Sequence, residues 1–339
     1  MAETVLVTGG SGYIGGWCII QLLREGFRVK TTIRNLGRAD EVRAALATEV
    51  DPEDRLSFHA ADLTSDAGWD EAAADAQYVL HVASPLGVPP PKNPDELIVP
   101  ARDGAQRAIR AAIKAGAQRV VMTSSVAATA RPWSEPDSEC DETVWTDGED
   151  VKAGAYARSK TIAEKAAWDL IKAEGGATSL AVVNPAMVLG PVFSKDFSGS
   201  VQVVERLLNG RVPGLPRLGF CIVDVRDVAD MHIKAMRSPE AAGERFIAAG
   251  QYATMAEIAA MMRARLPDHA PRIPANRAPD WLIKMAALVD RDLREVTPGL
   301  GRKRSFSSAK AQRMLGWTPR DVHETVMDCA TSLITHGVA

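Results

Sequence analysis

Tyr156 and Lys160 are the residues of this chain whose types and spacing most directly suggest chemistry. Among the four tyrosines, only Tyr156 is followed by a lysine four positions later. Side chains at positions i and i+4 share one face of a helix, so both can point into one cleft. A free phenol has a pKa of about 10, and a neighbouring ammonium eases its deprotonation. The pair therefore suggests a proton donor for a carbonyl that is being reduced.

Ser125 is the third residue that could take part. It follows the apolar run 119–123, which is typical of a strand, and α/β sheets bind ligands at the carboxyl ends of their strands. Its hydroxyl could donate a hydrogen bond to the carbonyl oxygen, while general acid catalysis by Tyr156 typically contributes about 10² to 10⁴ in rate. In the alternative interpretation, Tyr156 is an ordinary helix-surface aromatic and Ser125 an ordinary turn residue.

A glycine-rich turn near the N-terminus indicates where a nucleotide would lie. Thr4–Thr8 is typical of a buried strand, and the apolar positions after Gly15 recur at helical spacing. Gly9, Gly12 and Gly15 fall between these elements, where a dinucleotide pyrophosphate needs close backbone approach and free N–H groups. An ordinary strand-to-helix turn is the alternative, but the position between strand and helix favours the nucleotide site.

The second predicted strand, 28–34, ends in a cation rather than an acid. Sheets that select NAD usually place Asp or Glu at this strand end, to bond the ribose 2′-hydroxyl. Arg34 occupies the position here, and Arg38 follows four residues later. A guanidinium binds a 2′-phosphate through charge-assisted hydrogen bonds, so we predict NADP(H) rather than NAD(H). Asp62, after the third strand, could equally bond the adenine amine or cap the next helix.

Strands and helices alternate through the first half of the chain. This alternation predicts an α/β fold with a Rossmann-type, doubly wound parallel sheet. His81 lies between apolar neighbours in a strand and is interpreted as structural. The later elements that periodicity predicts are the strands 56–60, 78–85, 119–123 and 180–183 and the helices 95–116 and 153–173.

Beyond Pro185, where the sixth strand is expected to stop, prolines interrupt the pattern, which suggests a smaller capping region over the cleft. The acidic segment 131–152 is typical of a long loop over a binding site. The predicted domains are an NADP-binding Rossmann domain over 1–184, with returns at 220–250, and a smaller C-terminal substrate-binding region over 185–219 and 251–339.

The composition of the 339 residues excludes several classes of function. A net charge of −3 provides no basic surface for nucleic acid and no polybasic membrane patch. No apolar segment approaches the roughly 20 residues of a membrane helix, and no secretory leader is recognised. The four scattered cysteines show no CxxC spacing, so reduced thiols are expected rather than disulfides or a metal site. We therefore predict a cytoplasmic protein that acts on a small molecule.

Several motifs together resemble the extended short-chain dehydrogenases/reductases. They are TGGSGYIG at 8–15, TSS at 123–125 and YARSK at 156–160. Arg34 and the motifs HVASP (81–85), NPAMVLGP (184–191) and VDVRDVA (223–229) are similar to the dihydroflavonol reductase, cinnamoyl-CoA reductase and fungal aldehyde (carbonyl) reductase group. The resemblance implies NADPH-dependent reduction of an aldehyde or ketone to an alcohol, with Ser125, Tyr156 and Lys160 as the catalytic residues.

The same motifs suggest which residues would contact NADPH/NADP+. Small residues after the fourth strand let the backbone approach a cofactor, and Lys160 can hold the nicotinamide ribose. The expected contacts are Thr8, Gly9, Gly12, Tyr13, Ile14, Gly15, Arg34, Arg38, Asp62, Leu63, Val82, Ala83, Ser84, Thr123, Tyr156, Lys160, Pro185 and Val188.

The substrate is less clearly indicated. Plant flavonoid-reducing members of the group often carry Asn or Asp five residues after the serine, where this chain has Ala130. A polyphenol bound through its hydroxyls is therefore not expected, and an apolar or aryl carbonyl compound is. The predicted pocket lining is Leu86, Trp133, Met187, Phe193 and Phe220.

Two other functions stay open at this point. A nucleotide-sugar epimerase or dehydratase would use the same fold, although dehydratases of that kind carry an Asp-Glu pair where Val126 and Ala127 follow Ser125. A non-catalytic NADP-sensing protein is the other alternative, although such proteins tend to lose the tyrosine. The protein is expected to be a monomer or a homodimer.

Overall fold

The computed structural model describes residues 3–85, 93–288, 294 and 297–339. Its strands are β1 (Thr4–Thr8), β2 (Arg28–Ile33), β3 (Leu56–Ala60), β4 (Tyr78–His81), β5 (Arg119–Thr123), β6 (Glu139–Cys140), β7 (Ser179–Pro185), β8 (Met187–Leu189), β9 (Gly219–Asp224), β10 (Arg245–Ala248), β11 (Tyr252–Thr254) and β12 (Ser305–Phe306). Its helices are α1 (Tyr13–Arg24), α2 (Ala39–Ala47), α3 (Trp69–Ala73), α4 (Asp95–Lys114), α5 (Gly154–Glu174), α6 (Gly199–Leu208), α7 (Val225–Arg237), α8 (Met255–Arg265), α9 (Asp280–Ala286), α10 (Ala309–Leu315) and α11 (Val322–Thr335).

Seven strands form one parallel sheet in the order β10-β7-β5-β4-β1-β2-β3. The chain order reverses beside β1, whose two neighbours are β2 and β4. In open parallel sheets, ligands bind in the crevice that opens at the carboxyl ends of the strands at such a point. The predicted Rossmann-type α/β fold is confirmed.

Strand β1 shows why helices cover both faces of this sheet. Val5, Leu6 and Val7 are fully buried, and successive strand side chains point to opposite faces. Val5 and Val7 pack in the larger apolar core with α1 and α7, while Leu6 packs in the second core with α4 and α5. A strand buried on both sides reads as a continuous apolar run, as this one does.

Strand β4 is shorter than the predicted 78–85. It ends at His81 because the N–H groups of Val82 and Ala83 donate to the Thr8 hydroxyl, at 3.1 and 3.0 Å, instead of pairing with a neighbouring strand. Strand β7 is longer than predicted and includes Pro185 as its last residue, opposite Ala248. Its missing N–H therefore removes a bond only where the ladder already ends.

Only part of the segment 220–250 returns to the parallel sheet. β10 pairs with β7, whereas β9 lies in a separate three-stranded sheet between β11 and β8. The predicted loop 131–152 contains the two-residue strand β6, which pairs with β12 near the end of the chain. The division of the chain into two domains stays a prediction.

None of the helices in the described ranges is long and apolar enough to cross a membrane.

Candidate active site

Helix α5 presents Tyr156 and Lys160 on one face, as their spacing predicts. The ammonium nitrogen of Lys160 lies 5.9 Å from the centre of the Tyr156 ring. Tyr156 is 36% exposed, so a substrate can reach it, whereas Lys160 is only 5% exposed. The two side chains therefore differ in role by position: the phenol faces the cleft and the ammonium lies beneath it.

The environment changes the pKa of both groups. Enclosure by the protein raises the pKa of Tyr156, and a hydrogen bond with Ser125 partly offsets this effect. Solvent reaches the ring, so this enclosure is weaker than that of a fully buried phenol. Burial lowers the pKa of Lys160 to about 8, against the opposing charge of Glu164. Burial therefore decides the direction of the pKa change of both groups.

Ser125 follows β5 and begins a short 3₁₀ turn, 126–128. Its hydroxyl oxygen accepts a hydrogen bond from the Ala127 N–H at 3.1 Å, which fixes the side chain. The hydroxyl proton stays available for another oxygen, and Ser125 lies close enough to the Tyr156 phenol to lower its pKa. The structure thus brings Ser125, Tyr156 and Lys160 together at the carboxyl end of the sheet.

The glycine turn leaves the N-terminus of α1 open. Gly9 has a φ of +73°, which favours glycine, and a Cβ at Gly15 would lie 2.4 Å from the Gly9 carbonyl oxygen. Gly12 precedes α1, but no side chain caps the helix and its first turn contains no acidic residue. The first N–H groups of a helix need partners, and here a phosphate would supply them. The turn therefore fits a dinucleotide.

Small residues after β4 line the same turn. The α-carbon of Ala83 would lie 3.0 Å from a Cβ at Gly9, so only small groups fit there. The Thr8 hydroxyl accepts the Val82 and Ala83 N–H groups and so must donate its own proton to Nδ1 of His81, 3.0 Å away. Burial lowers the pKa of His81 to about 3. His81 is therefore a neutral structural residue, as predicted.

Two of the expected cofactor contacts use their side chains elsewhere. Tyr13 is buried, and its hydroxyl donates to the Gly190 carbonyl at 2.8 Å. The Thr123 hydroxyl donates to Nε2 of His232 at 2.7 Å, because the other ring nitrogen must donate to the Val228 carbonyl. Both side chains tie strands and helices together, so only their main-chain atoms are left for a nucleotide.

The residues expected at the adenosine end lie around the ends of β2 and β3. Arg34 is exposed, and no carboxylate of the described residues lies within ion-pair distance of it. Arg38 is paired with Glu41 at 2.8 Å and with Asp196 at 3.5 Å. Arg34 is therefore the cation better placed to receive an anionic ligand.

Asp62 and Leu63 are engaged locally. Asp62 accepts hydrogen bonds from the N–H and hydroxyl of Thr64, which lowers the pKa of Asp62, and so closes a turn without capping α3. Leu63 packs over Gly104 of α4, where a Cβ would lie 2.5 Å from its side chain. The backbone around the sheet edge is completed by Ile14, Ser84, Pro185 and Val188, of which Pro185 and Val188 are buried and Ile14 and Ser84 half-buried.

One of the residues expected to line the substrate pocket lies in the core instead. Phe193 is buried in the core and packs edge-on against Trp17 of α1, with ring centres 6.4 Å apart. It fills the space above Gly16, because its ring would lie 2.1 Å from a Cβ there. The prediction that Phe193 lines an open pocket is wrong. Leu86 lies outside the described residues.

The other expected lining residues are half-buried. Met187 and Phe220 lie on β8 and β9 and pack against the main core. Trp133 is held between two chain segments: the Arg304 guanidinium stacks 3.5 Å from its ring centre, and Gly299 lies against its edge. Trp133 therefore fixes the loop 131–152 to the C-terminal region, whatever else it contacts.

An apolar cluster beside Ser125 was missed by sequence reasoning. Val126 follows Ser125, Ala186 follows Pro185, and both pack with Tyr252 of β11 and Phe306 of β12 around Cys221, Ile247 and Ala249. Val126, Ala186, Tyr252 and Phe306 are each half-buried. For Val126 and Ala186, the one signal in the sequence was their position next to Ser125 and Pro185. No local pattern marks Tyr252 or Phe306, because pairing of distant strands brings them here.

Comparison with known proteins places the whole arrangement in a family. A family model described as the NAD dependent epimerase/dehydratase family matches residues 5–249. Cinnamoyl-CoA reductase 1 of Oryza sativa is 35% identical over 277 residues, 81% of this chain and 78% of the relative. Ketoreductase azaE of Aspergillus niger is 31% identical and covers 98% of both chains. The predicted resemblance to this group of reductases is confirmed.

The fold is also shared with solved structures. The yeast methylglyoxal/isovaleraldehyde reductase Gre2, solved with NADPH, superposes with a TM-score of 0.83 at 25% identity, over 99% of this chain and 100% of that one. A UDP-glucose 4-epimerase of Thermotoga maritima superposes with a TM-score of 0.74 at 19% identity, which shows the common fold alone.

Proposed function

The chain belongs to the NAD dependent epimerase/dehydratase family, and we propose that within it the protein is an NADPH-dependent reductase that converts an aldehyde or ketone to an alcohol. It is an NAD(P)-dependent oxidoreductase of the extended short-chain dehydrogenase/reductase type, because its full-length relatives are reductases. The observation that carries the finer proposal is the convergence of Ser125, Tyr156 and Lys160 beside the open N-terminus of α1.

Each of the three residues has a separate task in this proposal. Tyr156 is exposed to the cleft and mostly protonated at neutral pH, so it can donate a proton to the carbonyl oxygen. Ser125 donates a hydrogen bond to the same oxygen, on which negative charge develops. Lys160 holds a positive charge beneath the phenol and stabilises the phenolate that forms when the proton leaves. NADPH, when bound, supplies the hydride.

The groups left open on the other side of β1 fit this cofactor. The uncapped N–H groups of α1 would bind the pyrophosphate, and Arg34 would bind the 2′-phosphate that distinguishes NADPH from NADH. Thr8, held by His81, keeps the backbone of Val82 and Ala83 close to the glycine turn. Lys160 would also hold the nicotinamide ribose.

The substrate that we propose is an apolar or aryl carbonyl compound. The half-buried apolar side chains that support this proposal are Val126, which follows Ser125, Ala186, Tyr252 and Phe306 of the same cluster, and Met187 and Phe220 of β8 and β9. These side chains form an apolar wall of the pocket. It would bind a substrate through burial of apolar surface, which contributes about 25 cal/mol of free energy per Å² removed from water. A sugar nucleotide would need polar partners along this wall.

Substitution of Tyr156 by phenylalanine tests the function. The oxidation of NADPH is followed by its absorbance with aryl aldehydes, aryl ketones and β-keto esters. Y156F should fold normally, bind NADPH and reduce these substrates about 10² to 10⁴ times more slowly. Y78F is the matched control, since Tyr78 bonds only Gln118 far from the cleft.

Three results would contradict the proposal. Wild-type rates in Y156F would remove Tyr156 as the proton donor. Tightly held NAD together with turnover of UDP- or dTDP-sugars would identify an epimerase or dehydratase. Firm NADPH binding without reduction of any carbonyl compound would identify a sensing protein.

A further inference from the structure

Glu164 lies one helical turn beyond Lys160 on α5, and the mechanism above does not use it. It is completely buried, as is Arg245 on β10 apart from 8% of its side chain. A buried carboxylate is costly unless it is paired and hydrogen-bonded. Arg245 pairs with it at 2.5 Å. The residues Tyr156, Lys160 and Glu164 therefore form a line along one face of the helix, with the acid innermost.

The Glu164 carboxylate connects strands β7 and β10 with the residue that follows β5. It accepts hydrogen bonds from the Ser124 hydroxyl at 2.5 Å and from the Asn184 amide at 2.9 Å, in addition to the Arg245 guanidinium. The same Asn184 amide donates to the Ser125 carbonyl oxygen at 3.1 Å. One hydrogen-bonded residue therefore separates Glu164 from the main chain of Ser125.

Arg245 extends these contacts to the loop over the cleft. Its guanidinium donates to the carbonyl oxygens of Glu142 and Val144, at 2.9 and 3.2 Å, and stacks 3.5 Å from the centre of the Trp145 ring. These bonds place the positive charge of Arg245 on the loop side of the carboxylate. Arg245 therefore neutralises the charge of Glu164 from the side of the loop and not from the side of Lys160.

We propose that Glu164 is a positioning residue of the reductase reaction, whose charge favours the protonated form of Lys160 and whose hydrogen bonds hold the Ser125 segment. This inference rests on the proposed function, because it assigns Glu164 through the two residues named there. It predicts that Glu164 acts on the reaction in a pH-dependent way, which a purely structural ion pair would not do.

The charges around Lys160 support the direction of this effect. Burial lowers the pKa of Lys160, and Glu164 is the one charged group of the described residues that raises it. His81 faces Lys160 from β4, but burial holds the pKa of His81 at about 3, so it is neutral at the pH of the reaction. Tyr156 is also neutral there, because its pKa is raised. Loss of the Glu164 charge should therefore let Lys160 lose its proton at lower pH.

The chain offers a matched control in a second buried acid–arginine pair. Asp224 is completely buried and pairs with Arg226 at 2.7 Å, and Arg226 also bonds Asp328 on α11. This pair acts on Tyr13 of α1, and α1 and α7 pack in the larger core, whereas α5 packs in the second core on the other face of the sheet. Its acid is as buried as Glu164, although the Arg226 side chain is 19% exposed against 8% for Arg245, and the pair differs in position.

The experiment compares E164Q, E164Q/R245M and D224N/R226M by kcat/KM for NADPH-dependent reduction across the pH range. The double variant E164Q/R245M leaves no unpaired buried cation, so it decides the matter if E164Q does not fold. The alkaline limb should move about one unit to lower pH, which is a change of about tenfold in the ratio of charged to neutral Lys160 at a given pH. D224N/R226M should be less stable to heat but keep the wild-type limb.

A second measurement separates this inference from the proposed function. The pH dependence of NADPH binding, followed by cofactor fluorescence, reports the charge on Lys160 without any turnover. It should shift in the same direction in both Glu164 variants. An unmoved limb and unmoved binding curve would overturn the role of Glu164 even where activity falls. If the binding curve shifts in the Glu164 variants while the wild-type protein reduces no carbonyl compound, the effect of Glu164 on Lys160 would be supported and the proposed reductase function contradicted.

Discussion

The two sides of the cleft differ in whether their polar groups have partners within the described part of the protein. On the nucleotide side, the N-terminus of α1 has no side-chain cap and Arg34 has no carboxylate partner among the described residues. On the substrate side, the guanidinium of Arg302 bonds Asp137 and the carbonyl of Trp133, and that of Arg304 stacks on the Trp133 ring. The surface left open beside Ser125 is apolar.

This difference determines how selectively one side can bind the cofactor and the other side the carbonyl substrate. Uncapped N–H groups at a helix N-terminus and an exposed guanidinium without a carboxylate partner favour an anion of defined shape, because both donate hydrogen bonds in fixed directions. An apolar wall discriminates poorly, since one methylene group in a hydrophobic pocket is worth only about 1–3 kcal/mol. We expect strict cofactor selectivity and broad carbonyl selectivity. Three of the four predictions below test this contrast, from the largest effect to the smallest, and the third concerns the stability of the fold.

The largest effect should come from Gly15→Ala on the nucleotide side. Its Cβ would lie 2.4 Å from the Gly9 carbonyl oxygen, and neither backbone can yield without opening the turn. NADPH binding, measured by fluorescence titration, should weaken by about a hundredfold (~2.7 kcal/mol). Gly199→Ala is the control, because a Cβ there meets nothing within 4 Å. Unchanged affinity in G15A would show that the turn does not hold the cofactor.

Arg34→Gln should separate the two cofactors. A hydrogen bond to a charged group contributes about 1.5–3 kcal/mol, so NADPH should bind about thirtyfold more weakly while NADH is unaffected. Arg28→Gln, at the other end of β2 and paired with Asp54, is the control. If both cofactors lose affinity equally in R34Q, the 2′-phosphate lies elsewhere and Arg38 becomes the candidate.

Acid should destabilise the fold through its two buried histidines. Burial lowers the pKa of His81 to about 3 and that of His232 to about 4, while an unfolded histidine titrates near 6.5. Below about pH 6.5 the unfolded chain binds more protons, so each histidine removes about 1.4 kcal/mol of stability per pH unit. The free energy of unfolding in urea, measured against pH, should fall less steeply in H81Q and in H232Q. Parallel curves in all three proteins would assign the acid sensitivity to other groups.

The smallest effect should come from Phe306→Ala on the substrate side. Part of the apolar wall is lost, so KM for aryl ketones should rise about fivefold (~1 kcal/mol), while KM for small aldehydes and for NADPH is unchanged. Leu282→Ala, an exposed apolar residue on α9, is the control. If F306A instead lowers kcat by a larger factor than it raises KM, Phe306 supports the position of Ser125 rather than lining the substrate pocket.

Local pattern alone determined the nucleotide side and the spacing of the reactive residues. The strand before Gly9, the helix after it and the i, i+4 spacing of Tyr156 and Lys160 depend on neighbouring residues only, and the structure has all three. The doubly wound parallel sheet also followed, because alternating strands and helices with right-handed crossovers permit few arrangements.

Tertiary structure decided where side chains with no local pattern point. Phe193 is aromatic and close to the cofactor motif, yet the space above Gly16 draws it into the core. Tyr252 and Phe306 reach the neighbourhood of Ser125 only because β11 pairs with β9 and β12 pairs with β6. Glu164 gains its partners from segments distant in sequence, which are Ser124 after β5, Asn184 on β7 and Arg245 on β10. Secondary structure follows from periodicity within a few residues, whereas a pocket wall depends on which distant segments pack together.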